Sequence, residues 1–183
     1  MIVVDNVNFK NDEVKHYQGA SMVDKLNIDS PDLLYNAKVR LVDKHKNIIA
    51  SHTGHNLILN NGKLELLKRL CGDSTNILGW CAVGTGGVGA DPFTPIDPVS
   101  TQISLNAEVL RLPFASKIYG ASGAVTVTLS TVFLSTQVNN IVSEAGLCMA
   151  SNGGIVFARY TYPSMYLKAD RGYSLEVDWT IQF

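Results

Sequence analysis

Apolar and polar residues alternate without fault along "YSLEVDWTIQF". Tyr173, Leu175, Val177, Trp179, Ile181 and Phe183 fall on one side, and Glu176, Asp178, Thr180 and Gln182 on the other. A period of two marks a half-buried strand. The same period places Val39 and Leu41 against Lys38 and Arg40 in "NAKVRLVDKHKNIIASHT", which predicts a hairpin turning over Asp43 to Asn47. "ILGWCAVG" predicts a further strand, "ISLNAEVLRLPF" an extended segment, and "GASGAV" a turn. In "VTVTLSTVFLS" the apolar phase passes from Val125, Val127 and Leu129 to Val132 and Leu134, which predicts a bulge. "VSEAGLCMASNGGIVFARYTYP" predicts two strands around Asn152-Gly153-Gly154.

One segment has the helical period. In "LNNGKLELLKRLCG", Leu64, Leu67 and Cys71 share a face widened by Leu66 and Leu70. Asn60 or Asn61 is placed to cap it, Lys68 and Arg69 complement the dipole in its last turn, and Gly72 supplies a left-handed stop. Glu65 and Arg69 are spaced to pair across one turn. The sum is a mainly β chain, an antiparallel sandwich or barrel-like domain over residues 35–183 with one packed helix at about 60–71. Residues 1–34 have neither period and read as an extended N-terminal arm with scattered large apolar side chains.

Composition sharpens this picture. The chain has 183 residues, 46% apolar and 17% charged, with a net charge of −1. The charged share is low, and Thr, Ser, Asn, Val and Gly fill the surface instead, as suits strands and turns. Nothing resembles a polybasic face for nucleic acid, and no run is long enough for membrane insertion. No basic segment followed by an apolar core suggests a signal peptide. Three cysteines, Cys71, Cys81 and Cys148, without C-x-x-C, read as buried free thiols.

The stretch "WCAVGTGGVGADPFTPIDP" holds a literal G-x-G-x-x-G, Gly84 to Gly89. A dinucleotide turn needs a helix directly behind it to receive the pyrophosphate. Pro92, Pro95 and Pro98 cannot all lie inside a helix, so Gly84 to Pro98 reads as a long surface loop and no cofactor is expected. His52 and His55 are two imidazoles without a third ligand and read as surface loop residues, so no metal is expected either. Glu176 and Asp178 share a polar strand face that reads as solvated. Glu144, in the apolar stretch "SEAGL", needs a partner if buried. Arg111 or Arg159 could supply it, as a structural ion pair before a catalytic one. Phe9, Tyr17 and Met22 of the arm, Pro92, Phe93, Pro95 and Pro98 of the loop, and Tyr162 and Tyr166 are the candidate interaction surface.

From Asn56 to Phe183 the order of short motifs resembles a family. "NLILNNGKLELLKRLCG" precedes "WCAVGTGG", then "LNAEVLRLPF", "VTVTLSTVFL", "VSEAGL", "GGIVFARYTYP" and "LEVDWTIQF". This order is similar to that of the small tail or tail-fibre-associated structural proteins of bacteriophages. The matched positions are Ala82 to Gly86, Glu144 to Leu147 and Trp179 to Phe183; the first 55 residues depart from the pattern. The resemblance implies a non-enzymatic virion component, assembled in the host bacterial cytoplasm, oligomeric and bound to other virion proteins. An alternative is a carbohydrate- or receptor-binding module of the same particle, with Tyr160, Tyr162 and Tyr166 facing a host surface glycan. A small glycan-cleaving enzyme would need two convergent carboxylates, one of them Glu144. Cyclic symmetry is the expectation for the oligomer.

Overall fold

The structure, a computed structural model, describes residues 35–121 and 124–182; the segment containing Phe9, Tyr17 and Met22 lies outside them. The described residues form ten strands and one α-helix. In chain order these are β1 (Tyr35–Val42), β2 (Ile48–His55), β3 (Leu57–Ile58), α1 (Asn60–Cys71), β4 (Trp80–Gly84), β5 (Glu108–Pro113), β6 (Ser116–Tyr119), β7 (Thr126–Leu134), β8 (Ile141–Cys148), β9 (Val156–Tyr166) and β10 (Ser174–Gln182). They build two five-stranded antiparallel sheets, ordered β2-β1-β10-β7-β6 and β3-β9-β8-β4-β5. The fold is a β-sandwich.

In the first sheet, β10 lies between β1 and β7, and inward residues line up in rows. Ala37, Trp179 and Leu129 form one row, Val39, Val177 and Thr131 the next, and Leu41, Leu175 and Phe133 the third. All nine are buried, and the small Ala37 makes room beside the large Trp179. In the second sheet, Cys81, Leu147 and Ala158 form an inward row. Trp179 Nε1 donates to Cys81 Sγ at 3.4 Å, so a polar contact joins the two sheets across the core. Burial pushes the thiols of Cys81 and Cys148 up to about 12, which keeps them protonated.

Several expectations need correction. The pairing of β7 with β10 runs unbroken from Thr126 to Leu134, so β7 has no bulge there. The inward phase is Leu129, Thr131 and Phe133, with Thr131 taking a core position, while Val132 and Leu134 face out. The helix carries no side-chain cap: Leu59 occupies the N-cap position in extended conformation. Its stop is as expected, with Gly72 left-handed (φ 81°) and Asp73 N reaching back to Lys68 O at 2.8 Å.

The buried side of α1 is also not the leucine face. It centres on Gly62 and Glu65, and Leu64, Leu70 and Cys71 are exposed. The reason is steric. Gly62 lies so close to Phe157 of β9 that any Cβ would overlap the Phe157 backbone, which fixes that side of the helix inward. Glu65 does not pair with Arg69; it accepts from Ser74 Oγ and from Asn76 Nδ2 at 2.7 Å. These two bonds, Ser74 first, hold its carboxyl below the usual range.

His52 and His55 sit on strand β2, not in a loop, and an odd spacing puts them on opposite faces. Glu176 and Asp178 are not simply solvated. Arg40 reaches across from β1 to both, at 3.1 and 2.6 Å. Among the described residues no helix is long and apolar enough to cross a membrane.

The buried thiols predict a pH dependence. Unfolding returns them to an ordinary value of about 9. Below that pH both states hold the protons and stability does not change. Above it the unfolded chain gives them up first, so stability falls as pH rises from about 9 toward 12. Urea midpoints measured at about pH 8 and about pH 10.5 are expected to drop, and to drop less in Cys148→Ala, which removes one titrating group.

Candidate functional site: an anchored loop over a buried ion pair

Strand β8 differs from β10 in one respect: every residue from Val142 to Cys148 is buried, on both faces. One face meets the first sheet. The other lies under a third layer made by α1 and the connection from Thr85 to Ala107. Leu59, Ala82, Leu105, Cys148 and Val156 form a small apolar cluster between this layer and the sheet. An unbroken apolar or small run is the pattern of a strand covered on both sides.

Glu144 lies in the middle of this covered face and has no exposure. Its carboxylate is fully bonded. Oε1 accepts from Gly86 N at 3.0 Å and Ala107 N at 2.8 Å. Oε2 accepts from Asn106 N at 3.1 Å and from Arg159 Nε at 2.9 Å, with Arg159 Nη2 at 2.7 Å. Arg159, 1% exposed, spends its remaining donors on Gln102 Oε1 (2.8 Å) and Gly86 O (3.2 Å). Asn106 Nδ2 also donates to Gly86 O, and Gln102 Nε2 to Asn106 Oδ1, each at 2.9 Å. One buried acid thus ties both ends of a 23-residue loop to the sheet.

Ser143 adds a second fastening: its Oγ accepts from Gly87 N at 2.9 Å and donates to Thr85 O at 3.0 Å. The pairing of β8 with β9 shifts between Val142 and Glu144, so Tyr162, Pro163 and Ser164 stand opposite Ser143. Tyr162, two residues after the buried Tyr160 on the same face, points inward, where its hydroxyl donates to Glu144 O at 3.3 Å. Burial, above all, raises the Tyr162 hydroxyl well above its ordinary value, so it stays a donor. Ser164 N donates to Pro92 O at 2.9 Å and holds the middle of the loop.

The glycines now have a physical role. A Cβ on Gly87 would overlap the Ser143 carbonyl, and a Cβ on Gly86 would collide with Asn106 and crowd Glu144. Their bare backbones let amides converge on an anion, which is what a phosphate-binding loop does. Here the anion is the protein's own carboxylate. After Gly89 the chain does not open a helix; Val88 bridges Pro95, and Ile96 N donates to Gly87 O at 2.8 Å. The first part of this connection is therefore packed against the sheet rather than lying on the surface.

Arg111 does not reach Glu144. It pairs with Glu108 at 2.7 Å and donates to Ala150 O and Gly153 O at 2.8 and 2.6 Å, bracing the β8–β9 turn. Of the candidate contact residues, Phe93 is 75% exposed and Tyr166 43%, while Pro92 is exposed and Pro95 and Pro98 are half-buried. Tyr162 is fully buried and Tyr160 nearly so, which corrects Tyr162 as a contact residue. Asp91 turns the loop at Phe93: its carboxylate accepts from Thr94 Oγ1 at 2.5 Å and Phe93 N at 3.0 Å, and these bonds hold it below the usual range.

Gln102, Asn106 and Ser143 are essential to this network and were not foreseen from the sequence. Polar residues in a Ser/Asn/Gln-rich segment carry no period. Among the described residues no group of three His, Cys, Asp or Glu could hold a metal ion. No family model, no curated protein and no solved structure matches the chain.

The arrangement suits clamping. With both oxygens of Glu144 occupied and no solvent path, the carboxylate fixes the loop in one conformation. Glu144→Gln leaves the Arg159 guanidinium buried without its counter-charge and is expected to cost about 3–5 kcal/mol in urea unfolding. Glu144→Leu with Arg159→Met, which removes both charges, is expected to cost less than either single change. Limited proteolysis of Glu144→Gln should cut within 85–107, where the parent resists.

Proposed function

We propose that this chain is a structural or adaptor component of a bacteriophage virion that works by being held between neighbours rather than by turnover. The observation that carries the reading is the anchored loop. A segment fixed from below by a buried ion pair displays Phe93, Ile96, Val99 and Ile103 to solvent, with exposures of 75, 46, 55 and 67%. Large apolar side chains grouped on an ordered surface mark a contact site. Because the loop is already ordered, a partner meets it without a large entropic cost of ordering it.

The particle itself is suggested by the order of motifs from Asn56 to Phe183, which resembles that of small phage tail and tail-fibre-associated proteins. The site of assembly would be the bacterial cytoplasm, and the partners other virion proteins and further copies of the chain. A glycan-binding module is less well supported. The tyrosines that would stack on sugar rings are turned inward, and the ring of exposed Tyr166 is covered by Lys168 Nζ at 5.0 Å from its centroid.

The reading predicts that an antibody raised against the folded domain labels purified phage particles at one location. Phe93→Ser combined with Ile103→Ser should fold normally by circular dichroism yet be missing from particles. Unlabelled particles, or full incorporation of the double variant, would overturn the proposal.

A further inference from the structure

The chain contains two Asn-Gly pairs, Asn61-Gly62 and Asn152-Gly153. Such a pair is open to a reaction of the backbone on a side chain. The glycine amide nitrogen can attack the asparagine side-chain carbonyl carbon, because no Cβ on the following residue stands in the way. The fold treats the two pairs in opposite ways. Asn61-Gly62 lies in α1, and Gly62 is pressed against the Phe157 backbone. Ring closure needs Cβ and the following nitrogen nearly eclipsed about the Cα–C bond, and a helical ψ of about −42° holds them well apart.

Asn152-Gly153 lies in the β8–β9 turn. Ser151, Asn152, Gly153 and Gly154 are all exposed, and Gly153 and Gly154 have positive φ, 59° and 67°. A Cβ built on Gly153 would meet nothing within 4 Å, so the turn has room for a ring. Among the described residues neither the Asn152 side chain nor Gly153 N takes part in a hydrogen bond. The attacking nitrogen and the carbon it attacks are thus both free and in water. The turn around them is braced. Met149 N donates to Ile155 O at 3.0 Å, and Arg111 Nη1 holds Ala150 O and Gly153 O.

We propose that Asn152 is a self-modification site, converted to aspartate and isoaspartate in the folded protein with water as the only co-reactant. Gly153 N loses its proton to solvent and bonds to Asn152 Cγ. The Cγ–Nδ2 bond breaks, Nδ2 leaves as ammonia, and a five-membered succinimide remains. Water then opens the ring. Cleavage of the new Cγ–N bond gives aspartate. Cleavage of the original peptide C–N bond gives isoaspartate, whose main chain runs through the side-chain carbonyl. No redox change occurs. Either product places a carboxylate on the turn in place of a neutral amide. Isoaspartate also adds one methylene to the main chain, which displaces Gly153 O from Arg111 Nη1. The inference goes beyond the virion reading and does not rest on it.

Peptide mapping by mass spectrometry, on the full chain kept folded at mildly alkaline pH, tests it. The peptide containing Asn152 is expected to gain about one mass unit, the difference between water added and ammonia lost, while the peptide containing Asn61 keeps its mass. Fragmentation should place the change at 152 and show isoaspartate together with aspartate. The rate should rise with pH, because Gly153 N attacks only after losing its proton. In guanidinium chloride, where the helix is lost, Asn61 is expected to react as well. Asn152→Gln sets the carbonyl one carbon farther away at an exposed position and should stop the gain. An unchanged mass for the Asn152 peptide would refute the proposal. So would conversion of Asn61 at the same rate in the folded chain, an Asn61 that stays inert when unfolded, or the same gain in Asn152→Gln. The comparison of the two pairs in the parent gives a reading that does not depend on any variant folding. None of these results bears on particle labelling, so the modification and the virion role stand or fall separately.

Discussion

The Glu144–Arg159 pair is the constraint on which the outer half of this molecule depends. Burying two charges costs several kcal/mol each, and their mutual attraction offsets that only when the remaining hydrogen-bonding capacity is also satisfied. Here it is. Three backbone amides and the guanidinium fill the carboxylate, and Gln102 and the Gly86 carbonyl take up the rest of Arg159. The partners come from both ends of the loop, so the energetic requirement of the charge becomes a geometric requirement on the chain. An apolar pair could fill the same volume, but it could not demand that the Gly86, Asn106 and Ala107 amides meet at one point.

That demand explains the unequal treatment of the two sheets. The first sheet follows the simple antiparallel scheme, with one face in the core and the other carrying Arg40, Glu176 and Asp178. The second is covered twice, and its outer face exchanges water for a helix and a loop. Function in a sandwich commonly resides in connecting segments held by a rigid scaffold. Here the scaffold reaches into the segment and locks it.

The difference between the sheets also decides what could be read from the sequence. Where one face meets water, the period of two is explicit, and β1 and β10 are legible residue by residue. The sandwich class, the helix position and its glycine stop follow from the same local rules. The partner of Glu144 does not. Arg111 and Arg159 lie in similar apolar strands, and only the register, which sets Arg159 beside Gly146 and Arg111 beside Ala82, separates them. The helix face was misleading for a related reason. Periodicity finds an apolar side but not what that side meets, and the close approach at Gly62 leaves Leu64 and Leu70 in water. Thr131 misled in the opposite sense, a polar residue in a core row that made β7 look out of phase.

The placement of β10 carries a kinetic consequence. It supplies the middle of the first sheet, and its partners Tyr35–Val42 and Thr126–Leu134 are separated from each other by most of the domain. Until residues 174–182 arrive, β1 and β7 present long open flanks that invite pairing with another molecule. Closing the sheet also requires contacts between distant parts of the chain, the kind of topology that folds slowly. During synthesis the interval between β7 and β10 is therefore the period in which this protein is most exposed to misassembly.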